Sequence, residues 1–87
     1  MNTIILQNKP RKTSQGSTYM IEVVGDSPIK EAIKESIAKL PHHPAKAPRR
    51  SIIDLLSLIE KHNMQICFTE HFYTDDDLEG WLFVLQG

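Results

Sequence analysis

The stretch STYMIEVVGDSPIKEAIKESIAKL, residues 17–40, changes its hydrophobic period in the middle. Tyr19, Ile21 and Val23 recur at every second position among β-branched neighbours, which is the pattern of a half-buried strand. After Gly25 the apolar positions become Ile29, Ala32, Ile33, Ile37 and Leu40, a spacing that gathers them on one face of a helix. Ser27 can cap that helix. Pro28 suits its first position, where a fixed helical φ helps and a missing N–H costs nothing. Lys30, Glu31, Lys34, Glu35 and Lys39 are left for water on the outer face. A strand that feeds directly into an amphipathic helix makes the class mixed α and β, and the flanking segments decide the arrangement.

Upstream, TIILQN (3–8) reads as a first strand, and KPRKTSQG (9–16), with Pro10 and Gly16, reads as the loop of an antiparallel hairpin. Downstream, KLPHHPAKAPRRS (39–51) contains Pro41, Pro44 and Pro48. Each ends helical structure and keeps the residue before it extended. Residues 41–50 are therefore a proline-rich basic connector between two helices. The second helix is expected to start at Ser51 as N-cap, with Asp54 completing a capping-box-like pair. Its Ile52, Ile53, Leu55, Leu56, Leu58 and Ile59 make an apolar surface wider than one stripe. Asn63 is placed to take a left-handed cap. MQICFTEHFY (64–73) then alternates, with Met64, Ile66, Phe68 and Phe72 expected toward the helices and Gln65, Cys67, Thr69, His71 and Tyr73 opposite. TDDDLEG turns the chain into a last strand, WLFVLQ.

The order is thus ββααββ. It predicts a single α+β domain over 1–87, a two-layer sandwich of a four-stranded antiparallel sheet with two helices on one face. Met20, Val24, Cys67, Tyr73, Leu82 and Val84 would then lie in part on the other face with nothing in a chain of 87 residues to cover them. An uncovered apolar patch of that kind points to a homo-oligomer.

Composition narrows the functional classes. Hydrophobic content of 40% with a net charge of -1 fits a folded domain. No segment approaches the roughly 20 apolar residues of a membrane helix, and MNTIILQNKPRK lacks the cationic start and apolar run of a secretory leader. The single cysteine, Cys67, rules out an intrachain disulfide and points to a reducing, cytoplasmic setting. There is no glycine-rich phosphate loop or nucleophile elbow, so neither an enzyme nor a cofactor is expected. His42 and His43 are adjacent and point apart in an extended segment. Asp75, Asp76, Asp77 and Glu79 lack the ligand alternation of a calcium loop, so no metal is expected at either place.

The charge is unevenly spread. Residues 1–50 hold nine cations against four anions, whereas residues 51–87 hold Lys61 against seven anions. If successive elements reverse direction, the loop at 9–16, the connector and the TDDDLEG turn meet at one end of the sheet. The candidate anion- or partner-binding residues are therefore Lys9, Arg11, Lys12, Lys46, Arg49, Arg50, Ser51, Asp75, Asp76 and Asp77. Arg49 and Arg50 precede the expected cap at Ser51. There they could hold an anion at a helix N-terminus or pair with the acidic turn. The leading expectation is a small non-enzymatic binding or regulatory protein that engages a protein partner through this mixed-charge end. The alternative is an anion- or nucleic-acid-binding module built on the same basic loops, against which a pI of 6.4 and the nearby aspartates argue.

EVVGDS followed by a helix, and PRRSIIDLLSLIEKHNMQI followed by an antiparallel pair, resemble the layout of the small feedback regulatory protein of GTP cyclohydrolase. That resemblance implies a ring-forming regulator that docks on an enzyme and responds to a small molecule. The proline connector stands here where that family has a central aromatic strand.

Overall fold

The structure, a computed structural model, describes residues 3–87. Its elements are β1 Thr3–Thr13, β2 Gly16–Gly25, α1 Lys30–Ala38, α2 Pro48–Lys61, β3 Gln65–Tyr73 and β4 Glu79–Gln86. The strands form one sheet in the order β2-β1-β4-β3, with every neighbouring pair antiparallel. The first and last strands therefore pair at the centre and leave β2 and β3 as the edges. This is the ββααββ two-layer sandwich that the change of period at Gly25 implies.

Both helices bury their apolar stripes on one face of the sheet. Ile4 and Leu6 of β1 and Phe83 and Leu85 of β4 meet Ile33 of α1, Leu55, Leu58 and Ile59 of α2, and Met64, all buried. A buried aliphatic side chain of this size adds about 1.5–3 kcal/mol, so this small set accounts for most of the hydrophobic drive. Helix α2 ends as Asn63 implied. Asn63 has φ 54, its N–H donates to Glu60 O at 3.0 Å, and the Met64 N–H donates to Ile59 O at 3.2 Å. That pairing satisfies two carbonyls of the last turn. At the same end of the sheet, α1 starts later than Ser27 and Pro28 implied: Ile29 holds the cap position with no side-chain bond, and Ser27 Oγ accepts the Ile29 N–H at 3.3 Å in the turn before it.

Gly25, at φ +148, is required where β2 leaves the sheet: a Cβ there would lie 2.5 Å from Thr3 O.

Three expectations need correction. The hairpin joining β1 and β2 has no eight-residue loop. The ladder runs on to Thr13 opposite Gly16, with Gly16 at φ +116 beside a two-residue turn. Pro10 does not interrupt it, for a geometric reason. The N–H of Tyr19, opposite Pro10, donates outward to His43 O at 2.9 Å, so this is a non-hydrogen-bonded pair and no ladder bond is lost.

Helix α2 begins at Pro48, not Ser51, with Ala47 in the cap position and proline in the first turn. Ser51 is thus interior to the helix and buried.

The third correction concerns β3. Ile66 pairs with Leu85 but Phe68 pairs with Val84, so Cys67 is an extra residue in a bulge. Every side chain beyond it changes face. Phe68 and Phe72 lie on the face away from the helices, and Thr69, His71 and Tyr73 on the helix side.

Candidate functional site

The loop end gathers most of the charged residues singled out from the sequence, though not in the pairings expected. Arg11 crosses from β1 to pair with Glu22 of β2. Lys12 reaches the β3–β4 turn, with its Nζ 3.6 Å from Asp76 Oδ2 and both groups exposed. Lys9 stands half-buried on the face of β1 away from the helices, opposite Met20. Asp75, Asp76 and Asp77 form an exposed turn closed by Thr74, whose N–H donates to Leu78 O at 2.9 Å; Asp77 takes the left-handed position at φ 58.

Lys46, Arg49 and Arg50 are exposed and make no ion pair among the described residues. The expected contact of the two arginines with the acidic turn is thus not made within the chain; Lys12 makes it instead. Ser51 leaves the group altogether. It is only 4% exposed, and its Oγ accepts a hydrogen bond from Asn8 Nδ2 at 2.8 Å.

None of the described elements covers the sheet face away from the helices. Register places Val24, Ile5, Val84 and Phe68 side by side across all four strands. Val24 is 58% exposed and Phe68 54% exposed. Met20, Leu82 and Phe72 extend this band, and Phe72 lies over Gly80, where any added Cβ would strike its ring at 2.5 Å. The charged members are Lys9, Arg11, Glu22 and Glu70. Of the residues expected here, Met20, Val24, Leu82 and Val84 are in place. Tyr73 is on the other face. Ile5, Phe68 and Phe72 belong here as well, the last two because of the bulge.

The connector is the part whose role the sequence disguised most. It lies along the outer edge of β2 in a short antiparallel bridge, Thr18 opposite Pro44, with hydrogen bonds Tyr19 N–H to His43 O and Ala45 N–H to Ser17 O, both 2.9 Å. His43 Nε2 lies 2.6 Å from Asp54 Oδ2 on α2, a partly buried contact that fastens the connector to the second helix. Ser36 of α1 and His62 at the end of α2 join at 2.8 Å. Roofed by the connector, a hollow of about 280 Å³ opens between α1, β2 and α2, with Tyr19, Ile21, Ile37, Leu40, His43 and Asp54 among its walls. The His43–Asp54 pair resembles part of a catalytic relay, but the nearby hydroxyl of Ser51 is engaged by Asn8 rather than by His43. Among the described residues no three His, Cys, Asp or Glu side chains come together as a metal site would need.

Tyr19 links the two ends of this arrangement. Its ring packs at 6.1 Å from Trp81, and its hydroxyl donates to Glu79 O at 2.9 Å. Burial, with the Glu79 carboxylate adding to it, pushes the phenol up to about 12. On the far side of Trp81, the His71 ring stacks at 5.1 Å.

No protein-family model, no curated protein and no solved structure matches the chain.

Proposed function

We propose that this is a small non-enzymatic binding or regulatory protein that self-associates through the uncovered face of its sheet and engages a protein partner with its mixed-charge loop end. The observation that carries the reading is the band Val24, Ile5, Val84 and Phe68, which none of the described elements covers. A contiguous apolar patch of this kind on a small domain is a recurrent mark of an association surface. The loop end complements it with Lys46, Arg49 and Arg50, cations left without ion-pair partners among the described residues and so available to an acidic surface. Pairs of this exposed type add only about 0–1 kcal/mol each, so their contribution is orientation and choice of partner more than affinity. A cytoplasmic location belongs to the same proposal, because an exposed Cys67 with no second cysteine in the chain suits a reducing compartment.

The unpaired arginines also favour a second reading, an anion- or nucleic-acid-binding module. Two measurements separate the readings. Binding to nucleic acid would weaken steeply between low and moderate salt. Capture on immobilised protein, comparing wild type with Phe68→Glu and with Arg49→Glu/Arg50→Glu, tests the two surfaces separately. The proposal expects Phe68→Glu to abolish self-capture and the double arginine variant to leave it intact while losing the heterologous partner. Self-capture unchanged by Phe68→Glu would overturn the sheet-face assignment.

A further inference from the structure

We infer that the hollow beneath the connector is a binding site for a small organic monoanion with an apolar body, such as an arylalkyl carboxylate. The inference goes beyond the protein-binding reading and does not depend on it. Four observations lead to it.

The space is a built one. The connector that roofs it is fastened at three points, by the two backbone bonds to β2 and by His43 on Asp54, and its prolines limit how far it can sag. The hollow measures about 280 Å³, close to the lower end of the range typical of small-molecule sites, about 300 Å³.

Its walls are mostly hydrocarbon. Tyr19, Ile21, Val23, Ile37 and Leu40 surround it, a lining that suits a ring or a branched chain better than a sugar or a nucleotide.

The charge around it is positive, although the hollow itself is lined by one lysine and one aspartate. Lys34 stands at the hollow, and a second hollow of about 270 Å³, which shares Leu40 and Asp54 with the first, adds Lys39 and Lys61. Asp54 is the one carboxylate lining either space, and His43 already holds it. An amine in the hollow would face Lys34 and find Asp54 already held by His43, with Lys39 and Lys61 next door, whereas a carboxylate could take a charge-assisted hydrogen bond from Lys34.

Finally, the wall carries an unspent polar group. Ser51 lines the hollow, accepts the Asn8 amide through its Oγ and donates no hydrogen bond among the described residues, where Asn8 Oδ1 behind it also has no partner. A ligand oxygen in the hollow is the acceptor that this serine lacks.

The test is a titration of the intact protein, followed by amide chemical shifts, with 3-phenylpropionate, phenyl phosphate and 3-phenylpropylamine as probes. The carboxylate is expected to shift the amides of Tyr19, Ile37, Leu40 and His43. The amine should shift none of them. Lys34→Met, a change at an exposed position, should weaken the carboxylate by about 10-fold. Ala38→Trp, which enters the hollow from an exposed rim position, should abolish binding without disturbing the core. The phosphate arm distinguishes a carboxylate site from a general anion site; phenyl phosphate binding more tightly than 3-phenylpropionate would overturn the carboxylate assignment. The site itself would be overturned by amine binding equal to that of the acid, by Lys34→Met without effect, or by shifts confined to the uncovered sheet face.

Discussion

Asn8 and Ser51 show how one buried pair can constrain a small fold. Asn8 is fully buried in β1, opposite Ile21 and Trp81, which pack against the hydrophobic core, and among the described residues its side chain bonds to a serine 43 residues away. Ser51→Ala removes that partner and leaves a buried amide with none. It should lower stability by about 1–3 kcal/mol in urea unfolding. Asn8→Leu combined with Ser51→Ala, which removes both polar groups, should recover most of the loss. Ser51→Ala with the stability of wild type would show that the pair does not matter.

Tyr19 makes a second prediction at this scale. Because its folded-state value is raised to about 12 from 10.0, the unfolded chain loses its phenolic proton first as pH rises. The stabilisation is fully present below pH 10.0 and is lost between there and about 12. Ultraviolet titration should show one tyrosine ionising late, and Tyr19→Phe should remove that late step.

Neither residue's role could be read from the sequence. A polar residue in a strand looks the same whether it faces water or a helix, and Ser51 carried the signature of a cap. Pro48 three residues earlier took the helix start instead, because proline in the first turn needs no N–H partner.

Among the elements, the connector and β3 separate what is local in the sequence from what is not. The prolines follow the end of α1, and residues 41–44 run extended, but the chain then folds into a turn closed by the Ala47 N–H on Pro44 O at 2.9 Å before α2 begins. That an extended segment would bridge to the free edge of β2 depends on a neighbour more than twenty residues away. The contact is testable. Asp54→Ala cuts the connector loose from α2, so the amides of Tyr19 and Ala45, which bond across the bridge, should exchange with deuterium faster while global stability changes by about 1 kcal/mol or less. Unchanged protection at both amides would mean that His43 does not hold the connector.

In β3 the alternation was real, and it misled past one point. A strict period of two runs straight through Cys67, whereas the bulge adds a residue and reverses the faces of Phe68 and Phe72. The bulge belongs to the register with β4, and no glycine or proline in QICFTEHFY announces it. Strands and helices whose limits are set by turn and cap residues, such as the end of α2 at Asn63, were legible. Contacts set by pairing between distant segments were not.

At the scale of the whole molecule, the sheet has one face under the helices and one without cover. The bulge sharpens that contrast, since it moves two phenylalanines from the expected core to the uncovered side. None of the described elements shields them, and the polar Lys9, Glu22 and Glu70 do not interrupt the row that runs from Val24 to Phe68. A second sheet packed face to face, about 10 Å away, would bury it. Sedimentation equilibrium over a wide concentration range, on wild type and Phe68→Glu, is the most direct measurement. The wild type should approach at least twice the 9.9 kDa chain mass as concentration rises, and Phe68→Glu should remain at 9.9 kDa. A wild type that stays at the mass of one chain at every concentration would contradict the assignment of this face to self-association.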